Sequence, residues 1–395
     1  MAEAIVDLDA VARNTRLLSG LAAPRAATMA VVKANGFGHG LLPVARTVLA
    51  SGASWLGVTS LAEARQLRDA GIDAPVLAWL YGTGDDFAWA ARHGVDLSVS
   101  TPAHLDAMPP GVTVHLKVDT GLTRNGVAWS DWPDLVRRAA ELERQGTLRV
   151  RGVWSHLASA DDPGNPSVPR QLERFEEALA VAAKAGLTPT LRHLANSAGI
   201  VDVPAAHYDL VRAGLALYGV EPIDGVVAGL RRAMTLRASA VNVKRVPPGT
   251  GVSYLHQYVT DRDTTVVLVP AGYADGVPRL LSNRGAVAIG GVRCPIAGRV
   301  AMDQFVVDAG DLDVALGDEI VLFGPGDGAE PTVEEWAAWA QTNPHEILTG
   351  IGARVPRTYI GNDAAPSGVA RTYIGNDAAP SGGVAEQSRE EQPHG

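Results

Sequence analysis

Short apolar, β-branched runs alternate with amphipathic stretches from about residue 28 to 212. The runs are MAVVK (29–33), WLGVT (55–59), PVLAWL (75–80), DLSVS (96–100), TVHLKV (113–118), VRGVWSH (150–156), LRHLA (191–195) and YDLVR (208–212). Each has the length and residue types of a strand. Between most of them lie helical patterns, among them LAEARQLRDAG (61–71), DWPDLVRRAAELERQG (131–146) and PRQLERFEEALAVAAKAG (169–186), each ending on the Gly expected just past a helix. Eight strands separated by helices predict an α/β fold, a (β/α)8 TIM barrel, with an open doubly wound sheet as the alternative.

After about residue 235 helical periodicity fades. Alternating strands with turn signals take over in LRASAVNVKRV (236–246), TTVVLVPAGYADG (264–276), GAVAIGGVRCPIAGRVAMDQFVVDAG (285–310) and LGDEIVLFGPG (316–326). One helix, VEEWAAWAQ (333–341) with Thr332 as N-cap, precedes a final strand around ARVPRTYI. The expected division is a cofactor-binding barrel over 1–232 and a mainly β C-terminal domain over 233–361. RTYIGNDAAPSGVA (357–370) is then repeated as RTYIGNDAAPSGGVA (371–385). Two copies make no repeat array, so only the first should complete the β domain, and 362–395 should be a disordered tail.

Composition narrows the class without changing this picture. The 395 residues are 46% apolar and 19% charged, enough to bury two cores. A net charge of −9 argues against a general nucleic-acid or anionic-membrane binder. No apolar run approaches the ~20 residues of a spanning helix, and the N-terminus lacks a leader pattern. The single cysteine, Cys294, excludes an intrachain disulfide and any cysteine-built metal site. A cytoplasmic enzyme is expected.

In a barrel the chemistry sits at the C-terminal ends of the strands. Lys33 closes the first run and enters the Gly-rich ANGFGHG (34–40). Lys117, Asp119 and Arg124 follow the fifth run, His156 ends the sixth, Asn196 and Ser197 follow the seventh, and Arg212 ends the eighth, before Gly214. Singly, each is an ordinary rim or turn residue; together on one rim they argue for an active site. Carboxylates are few, which suits neither metal-assisted hydrolysis nor a glycosidase pair, and no metal is expected. A lysine forming a Schiff base with a phosphorylated aldehyde fits the inventory.

At these residues the chain resembles the bacterial alanine racemases, pyridoxal-phosphate enzymes of fold type III, over roughly residues 4–360. MAVVKANGFGHG resembles the cofactor-lysine segment and implies Lys33 as the residue that holds pyridoxal 5'-phosphate. VHLKVDTGLTRNG (114–126) implies a carbamylated Lys117, and Arg124 facing cofactor and substrate. SHLASAD implies His156 against the pyridine ring, and RHLANSAG implies His193 in support, with Asn196 and Ser197 toward the phosphate. DLVRAGLALYG implies Arg212 at the pyridine nitrogen, with the backbone of Gly214 and Leu215 at the phosphate. In the second domain GVSYLHQY implies Tyr254 as the second catalytic base, PAGYADG implies Tyr273, and AGRVAMDQF implies Met302 beside the substrate with Asp303 in support.

The resemblance carries a mechanism. Racemisation removes an α-proton from one face and delivers one to the other, so Lys33 and Tyr254 are wanted on opposite sides. His156 and the Arg212–His193 neighbourhood are the implied cations favouring the phenolate. A guanidinium donating to the pyridine nitrogen weakens the electron sink and suppresses decarboxylation. The family site is completed across a head-to-tail homodimer, and the implied role is supplying D-alanine for peptidoglycan.

Three positions depart from the family. Phe37 stands where a Tyr is usual, His345 replaces the entryway Tyr toward the phosphate, and Ala301 precedes Met302 where many relatives carry Cys. Altered phosphate binding or substrate range follows as an expectation. The alternatives are a serine or broad-specificity racemase, then a fold-type III decarboxylase. Arg212 counts against the decarboxylase, and the C-terminal β domain counts against a non-catalytic pyridoxal-phosphate carrier.

Overall fold

The computed structural model describes residues 1–82, 84–226 and 228–361, with the backbone of Thr372 and Tyr373. Strand β1 (Glu3–Asp7) leads into a helix, Leu8–Ala22, whose first turn is capped by the Asp7 carboxylate accepting from Ala10 N at 3.0 Å.

Eight parallel strands follow: β2 (Ala27–Val31), β3 (Trp55–Val58), β4 (Val76–Ala78), β5 (Val95–Val99), β6 (Val112–Lys117), β7 (Leu148–Trp154), β8 (Leu191–His193) and β9 (Leu210–Ala213). They stand in chain order, with β9 returning to pair with β2. The seam between β8 and β9 is bridged by backbone bonds Asp209 N→Arg192 O (3.1 Å) and Arg212 N→Ala195 O (3.0 Å). The expected TIM barrel is therefore the observed one. Alternation along the strands sends Met29, Trp55, Leu77 and Leu210 into one small cluster. Their neighbours Ala30, Leu56, Val76 and Ala78 pack with the helices in the main core.

The second layer is built from β10 (Met234–Ser239), β11 (Asn242–Val246), β12 (Gly251–Val252), β13 (Tyr258–Val259), β14 (Thr264–Val269), β15 (Ala286–Ile289), β16 (Val292–Ala297), β17 (Phe305–Gly310), β18 (Glu319–Phe323), β19 (Arg357–Ile360) and β20 (Thr372–Tyr373). All but the β12–β13 ribbon join one sheet, ordered β11-β14-β17-β16-β15-β18-β10-β1-β19-β20. β1 belongs to this sheet, antiparallel to β10 and parallel to β19, so the expected division at residue 232 leaves the first strand on the wrong side. Its alternating burial (Ala4 and Val6 inward) and the Glu3–Arg237 pair at 3.1 Å tie it there.

Two further differences concern the C-terminal stretch. Thr372–Tyr373, in the second copy of the repeat, pair antiparallel with β19, so that copy supplies edge backbone where a tail was expected. The rest of the expected tail, 362–371 and 374–395, lies outside the described residues. The helix at Val333–Trp339 forms with a full Thr332–Glu335 capping box. A second helix, Pro344–Gly350, follows it, N-capped by Asn343, and carries His345 toward the barrel. Among the described residues no helix is long and apolar enough to cross a membrane.

Candidate active site

Lys33 lies two residues beyond β2, at the start of a left-handed turn. Ala34 (φ 52, ψ 50), Asn35 (φ 53, ψ 49), Gly36 (φ 61, ψ 44) and Phe37 (φ 52) all sit in the left-handed region. That conformation costs about 1–2 kcal/mol for each non-glycine residue, so the turn needs external support. One Glu63 carboxylate oxygen accepts from Ala34 N at 2.6 Å, and the other accepts from Thr59 N and Ser60 N at 2.8 and 3.2 Å. Asn35 Oδ1 accepts from Leu41 N at 2.8 Å, and buried His39 donates from Nδ1 to Phe37 O at 2.9 Å. Arg357 on β19 donates to Gly38 O at 3.0 Å. A Cβ on Gly38 would come within 2.2 Å of Leu348 O, so only glycine lets the C-terminal helix approach this closely. The lysine is thus held in a fixed frame by both domains.

Lys33 borders a cavity of about 500 Å³ at the C-terminal mouth of the barrel. Lys117, Arg124, His156, Asn196, Ser197, Arg212, Gly214, Leu215 and His345 line the same cavity. Every residue expected at the cofactor is therefore in one place. Trp154, Phe37 and Asp161 also line it, the last as the one carboxylate among the described residues there. The side chains of Lys33, Lys117 and Arg124 make no hydrogen bond or ion pair among the described residues. A chain of net charge −9 thus gathers four basic side chains around one hollow, the arrangement an anionic ligand would neutralise.

The remaining donors fit a phosphorylated aldehyde. Ser197 Oγ accepts from Gly214 N at 2.9 Å and Ala216 N at 3.4 Å, which leaves its proton to donate into the cavity. The Gly214 N–H is spent on that serine, so its support of a phosphate runs through Ser197. Asn196 caps the helix Ser197–Asp202, accepting from Gly199 N, and so fixes the serine. Phe37 Cζ lies 3.5 Å from where a Gly214 Cβ would be, so a hydroxyl at that ring position would face the Ser197–Gly214 corner. His345 stands beside it, the ring centres 5.8 Å apart.

Burial dominates the electrostatics. It draws Lys33 below its ordinary value, with Arg124 adding to the effect. Burial, Arg212 and Arg124 pull the Lys117 amine down to about 7, where it sits 4.1 Å from the centre of the Trp154 ring. Arg212 is fully enclosed and drawn down to about 9 by desolvation, still a cation at neutral pH. It donates to Ser155 O (2.8 Å), Leu194 O (3.1 Å), His156 Nδ1 (3.2 Å) and His193 Nδ1 (3.3 Å), all through its terminal nitrogens. Nε and one Nη1 N–H make no hydrogen bond among the described residues, leaving two guanidinium donors unspent. His156 and His193 are held well below the ordinary imidazole range by burial, with charge from Arg212 adding. The expected cationic network is corrected accordingly: both imidazoles are neutral acceptors, and Arg212 carries the charge.

Tyr254, Tyr273, Met302 and Asp303 are not in this cavity. Tyr254 follows β12 on the ribbon that β13 completes and is 67% exposed; Tyr273 and Met302 are 45% and 53% exposed. The ribbon is anchored by Ser253 Oγ→Arg299 O (2.8 Å) and Tyr258 OH→Asp308 (2.5 Å). Tyr273 N→Ala301 O and Ala274 N→Met302 O, at 3.1 and 3.0 Å, hold the other two segments side by side. Asp303 pairs with Arg354 at 2.7 Å. Expected His193 lies beneath the cavity, touching buried His115, which sequence reasoning passed over along with Asp96 and Glu63. His115 was accessible to it, standing two residues before Lys117 and hence on the same strand face.

Two family models match the chain: the alanine racemase N-terminal domain over residues 6–222 and the alanine racemase C-terminal domain over 233–359. An alanine racemase of Thermobifida fusca is 52% identical over 368 residues, 91% of this chain and 98% of its own length. The solved alanine racemase of D-cycloserine-producing Streptomyces lavendulae superposes with a TM-score of 0.89 at 48% identity, covering 91% of this chain and 97% of that one. The Streptomyces coelicolor enzyme superposes at 0.87 with 47% identity, covering 91% and 98%.

Proposed function

We propose, from the premise that this chain belongs to the alanine racemase family, that the cavity around Lys33 is its active site. The chain is an isomerase, a pyridoxal-phosphate-dependent alanine racemase that interconverts L-alanine and D-alanine. The observation that carries the site assignment is the gathering of Lys33, Arg124, Ser197 and Arg212 around one cation-rich hollow. When bound, pyridoxal 5'-phosphate draws electrons from the substrate's α-carbon and so acidifies its proton.

Lys33 holds the cofactor. Its amine, drawn below its ordinary value by burial, can take or return a proton on one face of the substrate. The Ser197 hydroxyl, with Asn196 and the Gly214–Leu215 backbone behind it, binds the phosphate. Arg212 donates to the pyridine nitrogen and His156 packs against the ring. Arg124 faces the cofactor's phenolate and the substrate. With an amine drawn to about 7, Lys117 is neutral often enough to add carbon dioxide. The resulting carbamate would be an anion for Arg124, which has no ion-pair partner among the described residues.

Tyr254 is not among the described residues that line the cavity around Lys33. It supplies the second base from a second subunit, with Tyr273 and Met302 beside the substrate and Asp303 supporting that segment. This requires a head-to-tail homodimer, and the exposure of all three apolar or aromatic residues favours it. The setting is cytoplasmic, supplying D-alanine to peptidoglycan. A broader substrate range is favoured by one observation, the pairing of Phe37 with His345 at the cavity wall.

Purified protein with pyridoxal phosphate should convert L-alanine to its racemate, read by chiral chromatography, with L-serine slower and L-lysine inert. Carbon dioxide release, or no D-alanine, would overturn the reading.

A further inference from the structure

Arg212 is a buried cation with no carboxylate partner among the described residues; its partners are two carbonyls and two imidazoles. Below it the structure runs on into the barrel. His193 Nε2 lies 2.8 Å from His115 Nδ1, and His115 Nε2 lies 3.0 Å from Asp96 Oδ2. Asp96 Oδ2 also forms an ion pair with Arg151 Nη1 at 2.9 Å. His115 and His193 are wholly buried and Asp96 nearly so. Sequence separation gives no hint of the run, which links β9, β8, β6 and β5.

Its direction is fixed from both ends. A guanidinium can only donate, so His193 Nδ1 must be the acceptor and the His193 proton must sit on Nε2. His193 Nε2–H then donates to His115 Nδ1, and the His115 proton sits on Nε2, aimed at Asp96. A carboxylate is an acceptor, so the far end demands the same arrangement. Reversing either imidazole would set an N–H against Arg212 or a lone pair against the carboxylate. The rings are also clamped. Trp154 stacks on His193 with centres 5.2 Å apart and planes 13° from parallel, and Trp55 meets His115 edge-on at 5.7 Å. A Cβ on Gly152 would lie 2.3 Å from His115 Nδ1, so glycine at that position of β7 makes the room His115 occupies.

We propose that Asp96 and His115 are positioning residues for Arg212: Asp96 sets the tautomers of His115 and His193, so that the guanidinium always meets an acceptor and keeps its orientation toward the cavity. This rests on the reading of Arg212 as the group that donates to the cofactor's ring nitrogen. Neither residue touches the cavity. Their action passes entirely through His193.

The test reads tautomers and turnover separately. In ¹⁵N-histidine-labelled protein without cofactor, multiple-bond ¹⁵N–¹H spectra should place the proton of both His115 and His193 on Nε2. Asp96→Leu removes the acceptor and should shift His193 toward the Nδ1–H form. It should also lower kcat about tenfold while KM moves less than threefold. Asp96→Asn, which can keep an oxygen facing His115, should preserve both tautomers and recover most of kcat. An imidazolium or an Nδ1–H form at either ring in the parent overturns the proposal, whether or not the variants fold. So does an Asp96→Leu protein with unchanged kcat, or an Asp96→Asn protein as slow as Asp96→Leu. If the parent shows the expected tautomers yet forms no D-alanine, it is the functional reading that fails.

Discussion

Lys33 and Tyr254 are the two expected bases, and they are held in opposite ways. Lys33 heads a left-handed turn braced by Glu63, Asn35, His39 and Arg357, and borders a cavity lined by its own chain. Tyr254 stands on a two-stranded ribbon, two-thirds exposed, anchored at its base by Ser253 and Tyr258. One expected base is held in place within its own chain; the other is presented outward. A half-buried lysine at the head of a braced turn is positioned by its own chain, whereas an exposed aromatic on a tethered ribbon needs something to cover it.

The largest effect that sharpens this contrast comes from Lys33→Ala, which should lower racemisation by more than about a thousandfold and abolish covalent retention of the cofactor, read by ultrafiltration and absorbance. Tyr254→Phe should lose about a hundredfold or more in turnover yet keep proton exchange for one enantiomer, read by deuterium incorporation. Mixing the two inactive proteins then breaks or secures the comparison. If each site draws Lys33 from one subunit and Tyr254 from the other, random reassociation restores about a quarter of parent activity, since half the dimers carry one intact site of two. No recovery after verified subunit exchange would place both bases in the same chain.

A smaller effect concerns the phosphate corner. Phe37→Tyr with His345→Tyr should tighten cofactor binding by tens-fold, because each added hydrogen bond contributes about 0.5–1.5 kcal/mol and more to a charged phosphate. An unchanged affinity in a cofactor titration would show the corner to be complete as it stands.

The smallest effect lies in pH. Lys117 titrates at about 7 in the folded chain against an ordinary 10.5, so between those values the unfolded chain binds the proton that the folded one lacks. Stability should therefore rise with pH across that window, by at most about 1.4 kcal/mol per pH unit from this group. Below pH 7 both states are protonated and the destabilisation is fully present. Lys117→Met should remove that slope in denaturant titrations of the cofactor-free protein. A slope that persists would put it elsewhere.

The pattern of strands and helices was enough to place the barrel and its rim, because strand periodicity and the C-terminal placement of barrel chemistry are local rules. Lys33, Arg124, His156, Ser197 and Arg212 each follow a readable strand, and the ring of strands brings them together. The frame around Lys33 was not readable, since a left-handed turn of Ala34, Asn35 and Phe37 defies local preference and exists only because distant groups hold it. Glu63 closes the Ser60 capping box with one oxygen and reaches Ala34 N with the other, a duty no local pattern announces.

What the residues determined by themselves is the fold class and the cation-rich inventory of the site, set by short-range periodicity and residue chemistry, while the choice of Lys33 came from the resemblance of its segment. The tertiary structure alone decided that β1 crosses into the second sheet, that Tyr254 faces outward, and that His193 continues through His115 to Asp96. Those outcomes depend on contacts between residues far apart in the chain. Burial then fixes charge and proton position there: His193 is a neutral acceptor because Arg212, fully enclosed beside it, can only donate.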